Sequence, residues 1–176
     1  MANGNTSSNK YTSLSQIDST NVQQLQVAWT YRTGDADTSN RSQIQCNPIV
    51  VDDILYATSP ALKLFALDAA TGKEKWLFDP KDSAANKVST PFGAALNRGV
   101  TYWQEGEDKR IFYAAGSWLF CVDAVTGKLI PSFGSNGAVN LREGLGRDVA
   151  NYELSANSPG IIYKDLLIIG ARLSEG

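Results

Sequence analysis

Residues 64–76 read LFALDAATGKEKW, and residues 119–128 repeat the first ten of these positions as LFCVDAVTGK. The copies lie 55 residues apart, counted from Asp68 to Asp123, and seven of the ten aligned positions are identical. Chance would not keep the aspartate, threonine, glycine and lysine together at one spacing. The sequence therefore contains an internal repeat, which indicates an array of similar structural units.

Each copy of the repeat predicts a β-hairpin. The apolar run 64–67 suits a strand, and Asp68 can accept hydrogen bonds from the backbone N–H groups that follow it and so start a turn. Gly72 supplies the positive φ that the exit from this turn needs. Residues 73–78 then return as a second strand that carries Trp76, a large ring that requires burial. One hairpin is marginal alone, so we expect its apolar face to pack on a neighbouring unit.

The remaining sequence predicts further strands, which group into units. Segment 22–34 alternates apolar and polar residues around Trp29 and predicts a closing strand, the last strand of a unit whose other strands lie elsewhere. Four strands each are expected within 43–79 (43–51, 54–58, 64–67 and 73–78) and within 98–133 (98–104, 110–115, 118–123 and 128–133). Two further strands, 158–163 and 166–171, begin a third unit that occupies 158–176. Residues 1–10 are expected to be poorly ordered. The segment 135–155 is too long for a passive connection, so we expect it to be functional or packed over the face of a sheet.

Four-stranded units at a period near fifty residues predict an all-β fold, a partial β-propeller. A propeller has about four to eight blades, and this sequence supplies about two and a half plus the closing strand. We therefore expect the chain to be the N-terminal part of a longer protein. Association of several such chains into a ring is a minor alternative, and a small β-sandwich is the rival fold.

The composition excludes several classes of function. The net charge of −2 provides no electrostatic basis for binding nucleic acid. The absence of histidine excludes Ser-His-Asp and Cys-His catalysis and histidine-based metal sites within this sequence. Cys46 and Cys121 are isolated, and we interpret them as buried small apolar residues rather than as a disulfide. No stretch has the roughly 18 apolar residues that a membrane-spanning helix requires.

The repeat also resembles a known family. Its pattern of Ala66, Asp68, Gly72, Lys73 and Trp76 is similar to the tryptophan-docking motif of the quinoprotein dehydrogenases, eight-bladed propellers that bind pyrroloquinoline quinone (PQQ). The second copy supplies Asp123, Gly127 and Lys128. Segments 21–35, 97–103, 141–148 and 158–160 resemble other parts of the same family, and the glucose and pyranose dehydrogenase branch is the most similar.

The resemblance implies a chemistry. Such enzymes oxidise an alcohol or the anomeric carbon of a sugar by hydride transfer to PQQ, with Ca²⁺ polarising the quinone and an aspartate acting as base. It further implies a periplasmic location and an electron acceptor that is a quinone or a cytochrome.

The resemblance assigns several residues to the cofactor site. Arg98 matches an arginine that holds the acidic edge of PQQ, a role that suits a planar guanidinium which never loses its charge. Gln45 stands where many members have a glutamate near the cofactor or calcium. Phe92 and Gly93 stand where alcohol-oxidising members have a vicinal disulfide, which argues against the methanol and ethanol branch. Further candidates for lining the cofactor are Ser158, Arg172, Ser174 and Glu175.

The same resemblance places the catalytic aspartate and the calcium ligands beyond Gly176. No catalytic residue is therefore expected in this chain, and we expect the chain alone to be inactive. Exposed strand edges would favour self-association. The alternative is a non-catalytic propeller that uses the same repeats as a binding scaffold.

Overall fold

The protein is almost entirely built from β-strands. The computed structural model describes residues 13–39, 41–82, 96–146, 148–149 and 152–174. In these ranges the only helical element is a 3-10 turn, Val22–Gln24. The strands gather into two four-stranded antiparallel sheets and two strand pairs, which confirms the predicted all-β class.

The first sheet is a meander of four consecutive strands. Its strands are β1 (Ile49–Val51), β2 (Ile54–Thr58), β3 (Leu64–Asp68) and β4 (Glu74–Phe78). The turn between β1 and β2 uses Asp52 and Asp53, whose φ values of 49° and 61° match a two-residue hairpin. The first strand is shorter than predicted, because only Asn47 within 43–48 has a bridge partner, Gly99 on the next unit.

The repeated turns form as the sequence predicts. The Asp68 carboxylate accepts hydrogen bonds from the Thr71 backbone N–H at 2.9 Å and from the Thr71 hydroxyl at 2.7 Å, and Gly72 follows with a φ of 71°. In the second copy Asp123 accepts the same two bonds from Thr126 at 2.6 and 2.7 Å. The aspartate thus closes the turn, and the glycine allows the chain to leave it.

The second sheet differs from the prediction in its fourth strand. Its strands are β5 (Thr101–Glu105), β6 (Asp108–Ala115), β7 (Trp118–Asp123) and β8 (Ala138–Asn140). The predicted strand 128–133 is wrong: Leu129 makes an isolated bridge to Val122, and the Ile130 N–H bonds to the Cys121 carbonyl. The Ile130 carbonyl instead accepts a hydrogen bond from the Phe133 N–H, which closes a turn. The chain turns there and rejoins β7 only at Ala138.

The third unit contains two strand pairs. One pair is a hairpin of β10 (Ile161–Tyr163) and β11 (Leu166–Ile168), which we call the third hairpin. Its strands lie within the predicted strands 158–163 and 166–171, although each is shorter than predicted. A second pair joins β9 (Leu154–Ser155) to β12 (Arg172–Leu173). This pair was not predicted, because the sequence indicated a connection through 135–155.

The closing strand predicted at 22–34 stays a prediction, because the strands with which it would pair were expected to lie elsewhere. Residues 25–33 pair with none of the described strands, and 22–24 form the 3-10 turn. The expected alternation is present only in its second half: Trp29 and Tyr31 are half-buried, whereas Leu25 and Val27 on the same predicted face are exposed. The Tyr31 ring lies 4.9 Å from the Phe65 ring, measured between centroids. The segment therefore packs on the first sheet without joining a ladder.

Two neighbouring sheets share the main core. Tyr56 and Trp76 of the first sheet pack with Ile111, Tyr113 and Phe120 of the second. The Trp76 indole N–H donates to the Ala124 carbonyl at 3.1 Å, just after the Asp123 turn. Trp29 makes the same bond to the Ala69 carbonyl at 3.1 Å. Each ring thus reaches the repeated turn of the following unit.

The third hairpin lies on the other side of the second sheet. Tyr102 points towards the first sheet, with its ring centroid 6.3 Å from that of Tyr56. Its neighbour Thr101 points the opposite way, and the Thr101 hydroxyl donates to the Gly160 carbonyl at 2.7 Å. Three strand groups therefore follow one another in series. This is the arrangement of propeller blades and not of a two-sheet sandwich.

Candidate functional site

Three segments meet where the first strand of each unit begins. The Asn47 N–H, two residues before β1, donates to the Arg98 carbonyl at 3.1 Å. The Arg98 N–H donates in turn to the Asn157 carbonyl at 2.7 Å. Arg98 precedes β5 and Asn157 precedes β10, so the peptide groups of Arg98 join all three units. We call these three segments (45–48, 97–100 and 157–160) the inner cluster.

Gly99 lets the three segments approach one another. Its φ of +152° lies in a region that side chains rarely adopt. A Cβ at Gly99 would lie 3.4 Å from both the Asn47 carbonyl oxygen and Cγ of Pro159. The glycine therefore stands in contact distance of the first and third units, and any other residue at this position would have a strained backbone.

Three of the predicted cofactor residues belong to the inner cluster. Arg98 is exposed, and its guanidinium has no hydrogen-bond or ion-pair partner among the described residues. Ser158 is exposed beside Asn157, and Gln45 is half-buried two residues before Asn47. The cluster thus offers an amide, a hydroxyl and a cation that is unpaired within the described part of the chain, which are all groups that bind carboxylates and carbonyl oxygens.

Two other predicted residues, Arg172 and Ser174, are not joined to this cluster. Arg172 is exposed on β12, which pairs with β9. The Ser174 hydroxyl hydrogen-bonds the backbone of Glu153, and the Ser174 N–H donates to the Glu153 carbonyl at 2.9 Å. Phe92, Gly93 and Glu175 lie outside the described residues.

Asn97 is a member of the cluster to which sequence reasoning gave no role. Its side chain is buried, with 4% exposed. It donates to the Ala114 carbonyl at 3.0 Å and accepts hydrogen bonds from the Gly99 N–H at 2.8 Å and the Thr58 hydroxyl at 3.3 Å. An asparagine two residues before a glycine is a signal for a local side-chain turn, which could have drawn attention to it.

Cys46 lies between Gln45 and Asn47 but is not a candidate nucleophile. Burial raises the pKa of its thiol, and hydrogen bonding with Thr58 offsets only part of that effect. Burial also raises the pKa of Cys121 to about 12. Both cysteines are free, as the sequence predicted, although Cys46 is half-buried and only Cys121 is fully buried. Both thiols stay protonated at neutral pH, when a thiolate would be the reactive form.

A separate groove lies at the opposite end of β5. It has a volume of about 590 Å³ and separates the second sheet from the third hairpin. Trp103 and Phe112 line one side, and Ile162 and Leu167 line the other. The Arg110 guanidinium lies 5.2 Å from the Trp103 ring centroid and pairs with Asp108. This arginine is therefore already engaged, whereas Arg98 has no partner in the ranges that the structure describes.

The described ranges contain no group of three or more His, Cys, Asp or Glu side chains that could hold a metal ion. Within the same ranges, no helix has the length and hydropathy needed to cross a membrane.

Comparisons with known proteins agree with this architecture. Quinoprotein glucose dehydrogenase A from Acinetobacter calcoaceticus is 32% identical over 188 residues, covering 94% of this chain and 23% of the relative. The dehydrogenase subunit of alcohol dehydrogenase (quinone) from Gluconobacter oxydans is 40% identical over 124 residues, covering 70% of this chain and 15% of the relative. A quinohemoprotein alcohol dehydrogenase from Pseudomonas putida HK5 superimposes with a TM-score of 0.69 at 26% identity, covering 94% of this chain and 21% of that structure.

The chain thus spans less than a quarter of the length of the relatives it matches. The family model for the β-propeller domain of PQQ-dependent glucose/ethanol/alcohol dehydrogenases matches residues 1–176. Together with the serial sheets and the inner cluster, this match shows that the chain belongs to the PQQ-dependent dehydrogenase β-propeller family.

Proposed function

We propose that this chain is the N-terminal part of a periplasmic quinoprotein dehydrogenase that oxidises a sugar or an alcohol, and that the inner cluster forms part of its cofactor site. The observation that carries the proposal is Arg98, whose peptide groups are fixed by Asn47 and Asn157 while its guanidinium is exposed and unpaired among the described residues. A fixed arginine with a free side chain is a preformed binder of carboxylate groups.

The chemistry of the inner cluster fits PQQ. PQQ carries three carboxylates and two quinone oxygens, so its site needs cations and hydrogen-bond donors. The Arg98 guanidinium can pair with a carboxylate in the two-bond geometry that a planar fork allows, and the Gln45 amide and Ser158 hydroxyl can donate to the remaining oxygens. When bound, PQQ supplies the quinone that accepts a hydride from the substrate carbon. The residues of this chain bind and orient it.

Catalysis needs groups that we place outside this chain. The described residues provide no cluster for calcium, and none of the candidate residues is a carboxylate base within the inner cluster. We therefore assign the aspartate base, the calcium ligands and most of the substrate pocket to the rest of the protein. In this proposal the isolated chain is inactive, and the complete protein passes electrons to a quinone or a cytochrome.

We further propose that the two tryptophan contacts are the family's docking interaction. The Trp29 indole N–H donates to the Ala69 carbonyl, and the Trp76 indole N–H donates to the Ala124 carbonyl. In both cases the acceptor is the residue after the aspartate of the next unit's turn. This interaction would hold the Asp68 and Asp123 turns at fixed distances from the inner cluster. Its role is structural, since the Asp123 turn lies beside Arg110 and Trp103, at the end of β5 opposite Arg98.

A titration with PQQ tests the cofactor assignment. PQQ is added to the 176-residue chain with and without Ca²⁺, and quenching of tryptophan fluorescence reports binding. We expect Arg98→Ala to weaken binding at least tenfold, because a charge-assisted pair contributes about 1.5–3 kcal/mol. Lys164→Ala is the matched control, since it removes one positive charge from the turn at the far end of β10. Equal affinities for Arg98→Ala and the parent would overturn the assignment and favour a non-catalytic scaffold.

A further inference from the structure

Asn97 connects three separate parts of the structure through one buried side chain. Its Nδ2 donates to the Ala114 carbonyl on β6, and its Oδ1 accepts from the Thr58 hydroxyl at the end of β2. The same Oδ1 accepts from the Gly99 N–H, which closes a turn directly over Arg98. The side chain therefore ties the residue that precedes β5 to both four-stranded sheets.

These bonds constrain the backbone of Arg98 from the inside. The Arg98 N–H and carbonyl are already held by Asn157 and Asn47, which lie in the flanking units. The bond from the Gly99 N–H to Asn97 also fixes the residues on either side, so the backbone around Arg98 is hydrogen-bonded while its side chain remains exposed. A binding group on a rigid backbone loses less conformational entropy when it meets its ligand.

We propose that Asn97 is the positioning residue for Arg98, and that its amide sets the direction in which the guanidinium meets an anionic cofactor. This inference rests on the proposed function, because Arg98 must contact the cofactor for its direction to matter. Asn97 itself touches no ligand in this proposal. A buried amide with three satisfied hydrogen bonds resists replacement, because any shorter or charged side chain leaves one of these partners unpaired.

Two substitutions separate the bonds that Asn97 makes. Asn97→Asp keeps an oxygen for Gly99 and Thr58 but replaces the donor to the Ala114 carbonyl by a second acceptor. Asn97→Ser keeps a hydroxyl near the Gly99 N–H and loses the reach to Ala114. The serine variant provides a second measurement if a buried carboxylate prevents folding. Tyr56→Phe is the matched control, because it removes another buried bond between the two sheets, from the Tyr56 hydroxyl to the Ala124 carbonyl at 3.2 Å.

The readouts are PQQ affinity and amide hydrogen exchange at Arg98 and Gly99, measured by NMR on the 176-residue chain. We expect the Asn97 variants to exchange the Arg98 amide at least tenfold faster and to bind PQQ at least tenfold more weakly, because both lose the bond to the Ala114 carbonyl. The Gly99 amide, which keeps an acceptor in both variants, should change less. Tyr56→Phe should lower the melting temperature with little change in either quantity. Unchanged exchange at Arg98 in both Asn97 variants would overturn the inference, as would a loss of PQQ affinity that Tyr56→Phe reproduces.

The two proposals fail in different ways. If Arg98→Ala and the parent bind PQQ equally, the cofactor assignment is wrong, and Asn97 then positions nothing for PQQ. If Arg98→Ala loses PQQ but the Asn97 variants keep the parent's affinity, the cofactor assignment stands and the positioning role is wrong.

Discussion

The ring of Trp76 lies directly on Gly127, so closely that a Cβ at that glycine would be 2.7 Å from Cδ2 and Cε3 of the indole. Trp29 has the same relationship with Gly72, where a Cβ would lie 2.5 Å from the same two ring atoms. The repeated glycine therefore does two things. It adopts the positive φ that ends the turn, and it leaves a flat surface on which the preceding unit's tryptophan packs.

The first prediction separates these two roles of the glycine. Gly127→Ala should destabilise the fold by about 2–4 kcal/mol, because it combines overpacking against Trp76 with an unfavourable φ. Gly106→Ala is the matched control: its φ is +58° but nothing lies within 4 Å of the added Cβ. It should cost only about 1 kcal/mol. Denaturant unfolding measures both, and equal losses would show that the tryptophan contact adds nothing.

The second prediction concerns the indole itself. Trp76→Phe should cost about 1 kcal/mol through the lost bond to the Ala124 carbonyl, together with some lost packing. Trp76→Ala should cost about 3–5 kcal/mol because it opens a cavity in the shared core. The same changes at Trp29 should be milder, since that ring is only half-buried. Urea unfolding followed by circular dichroism checks the order, and a larger loss at Trp29 would contradict it.

The third prediction concerns acid stability. The hydrogen bonds from Thr71 hold the pKa of Asp68 below its usual 3.8. A carboxyl whose folded pKa is lowered contributes stability above its unfolded pKa and loses that contribution as the pH falls through its folded pKa. Asp68→Asn should therefore flatten the fall of melting temperature below about pH 4. Thr71→Val, which removes only the hydroxyl donor, should give a smaller change, and a parent-like acid profile for Asp68→Asn would refute the argument.

The fourth prediction concerns thiol reactivity. Cys121 is fully buried, with a pKa raised to about 12 by burial, whereas Cys46 is half-buried. A thiol-specific reagent such as DTNB should modify Cys46 first and Cys121 only when the chain opens. The Cys46→Ser variant isolates the slow thiol, whose rate should rise steeply with denaturant. Similar modification rates for the two thiols in buffer without denaturant would show that Cys121 is accessible to the reagent in the folded chain.

The fifth prediction concerns self-association. On the third hairpin, one face carries Ile161, Tyr163, Leu166 and Ile168, which are 58–72% exposed. The opposite face, with Ile162 and Leu167, lines the groove towards the second sheet. An exposed apolar face of this kind favours association of the isolated chain.

Light scattering should show a mass that rises with concentration, and Ile161→Lys should reduce that rise. Val125→Lys is the control, since it changes a single exposed apolar residue, 61% exposed, on the Asp123 turn. An equal effect of both substitutions would indicate a general effect of charge rather than an interface at the hairpin.

The elements predicted best are those whose structure depends on neighbours in the sequence. Strands 54–58 and 118–123 have the bounds that the pattern indicated, and the Asp68 turn forms the hydrogen bonds expected of it. The fourth strand of the second sheet was misplaced because the chain turns away from β7 after Ile130 and returns only at Ala138. Where a chain rejoins a sheet depends on the loop between, and local propensity does not determine it.

The sequence alone determined the repeat, the two aspartate turns, the glycine at each turn exit and the all-β class, because each depends on interactions within a few residues. Only the tertiary structure decided that Asn97 bonds to Thr58 and Ala114, which are 39 and 17 residues away, and that Arg98 lies where three units meet. Those contacts exist because whole sheets pack in series. The position of a side chain in such a site is set by the packing of distant strands, which no local pattern encodes.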